Sequence, residues 1–194
     1  MKTYNIKERI KEYFFMNPTA KLRVRQMERE LKLPLPSVIR YTKELVKDGM
    51  LNKAAISGVA FYTADRTYKR FLVKKQLFNI GSLYESKLID SLVLKYTNPT
   101  IVLFGSYSKG EDIEGSDIDL YIETPSKMTI ELDEFEKKLQ RKIQLFVHKN
   151  IHQVKSKELA NNILNGIVLN GFVEVFRWKK HPGMTAYIQI RQLK

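Results

Sequence analysis

Apolar residues recur at helical spacing from the start of the chain. Ile6, Ile10, Tyr13 and Phe14 fall on one face of a helix over 6–15, which Asn17-Pro18-Thr19 then breaks. Met27 and Leu31, four apart, put a second short helix over 24–31. Leu33-Pro34-Leu35-Pro36 reads as a turn, because proline removes a backbone donor and disfavours helix in the residue before it. A third helix over about 36–48 stops at Gly49. It gathers Val38, Tyr41, Thr42 and Leu45 on one face and leaves Ser37, Arg40, Lys43 and Lys47 to project elsewhere. The pattern then changes to two strand-like runs, 50–56 and 59–63, joined by Ser57-Gly58.

The second half alternates helix and strand. A basic helix over 66–80 carries Tyr68, Phe71, Leu72 and Phe78, and another over 82–95 carries Leu83, Leu88, Leu92 and Val93 before Asn98-Pro99 ends it. Residues 100–104 form an apolar run typical of a buried strand, and 119–122 lie in a second strand. An amphipathic helix over 132–139, a strand over 142–147, a helix over 157–164 and an apolar, β-prone stretch over 167–176 complete the pattern. The expectation is an α+β protein of two domains. Residues 1–65 form a mostly helical unit with a β-hairpin, 66–81 a linker helix, 82–176 an α/β domain, and 177–194 a basic tail of unassigned role.

The order helix, helix, turn, helix, hairpin resembles a winged helix-turn-helix over roughly residues 4–65. The stretch 35–51 looks like its recognition helix and wing entry. Charge strengthens this reading. The chain carries 34 Lys+Arg against 21 Asp+Glu, a net charge of +13. Residues 1–70 hold 16 basic and 7 acidic groups, so most of the excess lies there. Such a field attracts polyanions and speeds their encounter. Ser37, Arg40 and Lys43 on the third helix and Lys53 in the wing are therefore the candidate DNA contacts. Winged-helix regulators commonly dimerise on two-fold sites, which makes a homodimer an expectation. There are no cysteines, so disulfides and thiolate metal sites are excluded. With no long apolar run and a polar, charged N-terminus, the expected location is the cytoplasm.

One constellation carries chemistry. Ile101-Val102-Leu103-Phe104-Gly105-Ser106-Tyr107-Ser108-Lys109-Gly110 leads, after a short polar loop, to Ser116-Asp117-Ile118-Asp119-Leu120. Gly105 permits a tight turn and close approach of a ligand to the backbone. Ser106 opens a helix, where free N–H groups and a hydroxyl make a seat for phosphate. Asp117 and Asp119, two apart on a strand, point to one face, and paired carboxylates are hard oxygen ligands suited to Mg²⁺. Lys109 on the same helix as Ser106 is a further candidate contact for a triphosphate.

Gly-Ser followed by Asp-any-Asp at this interval resembles the DNA polymerase beta-like nucleotidyltransferase superfamily, in its minimal branch. The resemblance extends from about residue 82 to 176 and includes Asn165-Gly166-Ile167-Val168-Leu169. It implies an α/β domain with a mixed sheet that moves a nucleoside monophosphate from ATP or another nucleoside triphosphate to an acceptor hydroxyl, with Lys109 and Ser116 among its nucleotide-binding positions. Minimal members often act with a HEPN-type partner toxin as its antitoxin, modifying a tyrosine with AMP. The winged helix could then bind the system's own promoter. One position departs from the family pattern. Gln144 stands where a third carboxylate is usual, and a neutral amide is no general base. A transcriptional regulator whose second domain only binds or senses nucleotide is thus the alternative. A small-molecule transferase is a third reading, for which no substrate pocket is evident. Glu123, two positions of period two beyond Asp119, is a candidate substitute for the missing carboxylate. His148 and His152 lack a third ligand and read as surface histidines.

Overall fold

A computed structural model describes residues 5–176. The tail 177–194 lies outside the described residues. The N-terminal unit packs α1 (Ile6–Met16), α2 (Val24–Leu31) and α3 (Leu35–Lys47) against a hairpin of β1 (Leu51–Ile56) and β2 (Val59–Ala64). Ile10, Phe14, Met27, Val38 and Leu45 from the three helices meet Leu51 and Tyr62 of the hairpin in one buried core. The hairpin turns at Ser57 and Gly58, both with positive φ, the pairing of a tight two-residue turn that matches strand twist. Leu22 adds a bridge to Tyr62, which the apolar spacing did not foretell.

The second unit is a four-stranded sheet in the order β5-β4-β3-β6, formed by β3 (Thr100–Phe104), β4 (Ile118–Glu123), β5 (Ile143–His148) and β6 (Ile167–Asn170). β3 runs antiparallel to β4 and β6, whereas β4 and β5 are parallel, so the sheet is mixed. Side chains alternate between its faces. Ile101, Leu103, Ile118, Leu120 and Ile122 face α4 (Lys69–Glu85), α5 (Leu88–Lys95) and α7 (Asp133–Leu139). Val102, Phe104 and Tyr121 face a 3₁₀ turn at Ile151–Gln153 and α8 (Lys157–Leu164). α6 (Gly105–Lys109) follows β3 directly.

Two boundaries differ from the expected ones. The break foreseen near residue 81 is absent: α4 runs through Gly81 to Glu85, and the chain turns at Lys87, whose φ is +71°. A glycine inside a helix costs about 1 kcal/mol, and the buried stripe Phe71, Lys75, Asn79 and Leu83 continues past it. The β-prone run 167–176 pairs only as far as Asn170. Gly171 then adopts φ +70° and packs on Thr100, whose hydroxyl donates to the Phe172 carbonyl at 2.8 Å. No helix among the described residues is long and apolar enough to cross a membrane.

Candidate active site

Gly105 leaves β3 with φ +74°, a left-handed conformation that strains any residue with a Cβ. Space makes the same demand, since a Cβ there would collide with Oδ2 of Asp119. Strand pairing explains the closeness. Phe104 sits opposite Asp119 in the β3–β4 ladder, so the turn and the second aspartate meet although a loop separates them in sequence.

α6 is held from below by α4. Gln76 donates its amide to the Ser108 carbonyl at 2.6 Å, and Asn79 donates to the Tyr107 carbonyl at 2.9 Å. The first bond satisfies a carbonyl that a short helix leaves open at its C-terminal end, and the second adds to the Gly110 N–H that the Tyr107 carbonyl already accepts. Gly110 caps it with φ +71°, so close to α4 that a Cβ would strike the Leu72 carbonyl. The Ser108 hydroxyl donates to the Gly105 carbonyl at 2.7 Å and closes the turn. The Ser106 hydroxyl makes no hydrogen bond among the described residues and is half-buried at the mouth of the turn. Lys109 is exposed on the same helix. Ser116 acts locally, since its Oγ accepts from the Ile113 N–H at 3.0 Å and shapes the loop before Asp117.

Asp117 is exposed and Asp119 half-buried. Burial raises the Asp119 carboxyl above its ordinary range, and the charge of Asp117 adds to the rise. Two neighbouring carboxylates that repel each other form a hard-oxygen pair whose ionised state a divalent cation favours. These two residues therefore fit Mg²⁺. In the parallel ladder Asp119 pairs with Gln144. Paired residues of adjacent strands present their side chains to the same face, so the group flanking Asp119 on that side is a neutral amide. Among the described residues no group of three or more His, Cys, Asp or Glu could hold a metal ion.

Glu123 does not replace the third carboxylate. It lies four residues along β4 from Asp119, about 13 Å at strand rise, and accepts the Tyr121 hydroxyl at 2.8 Å. His148 ends β5 stacked on Tyr121, and His152 sits in the 3₁₀ turn.

The candidate DNA contacts Ser37, Arg40 and Lys43 all lie on α3, and Lys53 lies on β1. Arg40, Lys43 and Lys53 are exposed, and Ser37 is half-buried. Arg40 is already engaged. Its Nε donates to Glu44 at 3.0 Å, and the guanidinium lies 4.9 Å from the Tyr41 ring centre. Glu44 also takes Lys7 at 3.2 Å, so part of the local positive charge is offset.

A buried ionic cluster behind the site had no counterpart in the sequence motifs. Lys75 and Asn79 both donate to Oδ1 of Asp112, the latter at 2.7 Å, and Arg141 approaches Oδ2 at 3.6 Å. Lys75 and Asp112 are almost wholly enclosed, with side chains 0% and 1% exposed. A signal was present in the sequence: Lys75 and Asn79 interrupt the apolar positions 71 and 83 at four-residue spacing on a single helix face.

Residues 85–170 match the family model described as a nucleotidyltransferase domain. The match spans the sheet, the Gly105 turn and both aspartates, and it supports nucleotidyl transfer as the general activity of this part of the chain. No curated protein and no solved structure matches the chain.

Proposed function

We propose that the chain transfers AMP from ATP to an acceptor hydroxyl, and that its N-terminal unit is a winged helix that binds DNA. The transfer reading is carried by one observation: Gly105 and Asp119 are in contact across the β3–β4 ladder, with Asp117 two residues away. In this reading the backbone of Gly105 and the hydroxyl of Ser106 receive phosphate oxygens, and Lys109 adds positive charge. Asp117 and Asp119 would hold Mg²⁺, which when bound neutralises triphosphate charge. The acceptor oxygen forms a bond to the α-phosphorus while the bond to the β-phosphate oxygen breaks, and pyrophosphate leaves. The acceptor proton passes to solvent, because Gln144 cannot take it. A cavity of about 400 Å³ bordered by Ser116, Asp117, Lys137 and Lys142 gives an acceptor room to approach. A HEPN-type protein is the first acceptor to try, in keeping with the antitoxin role that the family resemblance implies.

The test uses ATP labelled at the α-phosphate, Mg²⁺ and the candidate acceptor. Label joined to the acceptor with release of pyrophosphate supports transfer, whereas release of inorganic phosphate alone contradicts it. The second reading, a DNA-binding regulator that senses nucleotide, is favoured by the register of Gln144 beside Asp119. Its signature is ATP binding without pyrophosphate release, together with a DNA footprint that ATP changes.

A further inference from the structure

The loop that delivers Asp117, residues 110–117, is tied to the N-terminal unit. Thr19, exposed in the connection between α1 and α2, donates its N–H to Oε1 of Glu114 at 3.0 Å and its hydroxyl to Oε2 at 2.9 Å. Both oxygens of one carboxylate are thus taken by one residue of the other unit. Arg141, just before β5, donates to the Met16 carbonyl at the end of α1 at 2.7 Å while it faces Asp112. Lys75 and Asn79 of α4 hold Asp112 from the other side. Within the loop, the Ile113 N–H donates to the Ser116 hydroxyl. The loop is therefore braced at Asp112 by buried groups and at Glu114 by a two-point contact from outside its own sheet.

We infer that Thr19 and Glu114 are positioning residues for Asp117, through which the seating of the N-terminal unit sets the affinity of the metal–nucleotide site. Glu114 precedes Asp117 by three residues, a tether of about 10 Å at most. Release of Glu114 lets Asp117 sample placements that no longer match Asp119. Linkage makes the effect mutual: whatever displaces the N-terminal unit weakens nucleotide binding, and bound nucleotide resists that displacement. A ligand of the N-terminal unit thereby gains a route to the transfer site. The inference rests on the metal–nucleotide reading above.

The test is a calorimetric titration of the full chain with ATP and Mg²⁺, in the native protein and in Thr19→Ala, Glu114→Ala, their double variant and Thr19→Ser. Thr19→Ala, which loses the hydroxyl bond and keeps the N–H bond, should weaken Mg²⁺-ATP binding about three-fold, and Glu114→Ala, which loses both, about ten-fold. The double variant should lose no more than Glu114→Ala alone, and Thr19→Ser, which keeps both donors, should bind as the native chain does. Thermal unfolding is followed alongside, because a merely structural contact would lower the midpoint and leave the affinity unmoved. Unchanged affinity in both single variants overturns the inference, as do additive losses in the double or failure of Thr19→Ser to retain binding. Absence of Mg²⁺-ATP binding in the native chain overturns the metal–nucleotide reading itself, and this inference with it.

Discussion

Replacing Asp112 with alanine removes the one carboxylate that two buried cations share. Lys75 is then left fully enclosed without a counter-charge, while Arg141 keeps the carbonyls of Met16 and Gln140 at 2.7 and 2.9 Å. Removing one partner of a buried ion pair costs about 3–5 kcal/mol. For a chain of this size that is a fall of about 6–20 °C in the unfolding midpoint. Urea unfolding at neutral pH measures the loss directly. The pH dependence has a definite sign. Burial pushes the Lys75 ammonium below its usual 10.5, with Asp112 opposing the shift. Without Asp112 the folded chain holds that proton still less well than the unfolded chain does. Stability of Asp112→Ala therefore climbs with pH on the alkaline side, more steeply than that of the native chain. Replacing Lys75 together with Asp112, as Lys75→Met with Asp112→Leu, should recover part of that loss, since no uncompensated ammonium is left buried although Arg141 still lacks its carboxylate. The reasoning fails if Asp112→Ala loses less than about 1 kcal/mol, or if the paired replacement is the worse of the two.

Other consequences follow from the same geometry. Asp119 has a raised carboxyl, so its ionised form weakens the folded state at neutral pH, and the penalty fades as pH falls through the raised folded value and is gone below the ordinary 3.8. Asp119→Asn should accordingly raise the thermal midpoint at pH 7 without metal, with the gain vanishing in acid; a lower midpoint at pH 7 contradicts the repulsion. Gln144→Asp sets a third carboxylate beside Asp119 and should tighten Mn²⁺ binding about ten-fold, since ligand charge count sets affinity for hard cations. Unchanged affinity there means that the flanking position does not face the metal. If Lys43 and Lys53 meet phosphates, duplex DNA binding should weaken steeply with salt, and each alanine substitution should reduce the log–log slope by about one. A salt-insensitive complex removes DNA as the partner.

The sequence conveyed local periodicity well. α2 and α8 lie where the apolar spacing put them, because each is short, amphipathic and clearly bounded. Ser156, for example, caps α8 by accepting from the Leu159 N–H at 3.2 Å. Gly105 and the two aspartates were legible as a motif, and pairing of Phe104 with Asp119 explains why the spacing works. Gln144 could be flagged from the family pattern alone, and the β4–β5 register aligns it with Asp119. The course of α4 through Gly81 was not legible. A glycine suggests a break unless the buried stripe on either side is known to be continuous. Nor was the clasp between Thr19 and Glu114, whose bonds span 95 residues of chain. Polar contacts over such separations leave no periodicity to read, whereas the buried Lys75 left one in the stripe it interrupts.

The most direct measurement is calorimetry of the full chain with ATP and Mg²⁺, set against the Asp117→Asn, Asp119→Asn double variant. Saturable, Mg²⁺-dependent binding that disappears in the variant is the expected result. Equal binding in both proteins, or none in the native chain, would contradict a metal–nucleotide site at Asp117 and Asp119.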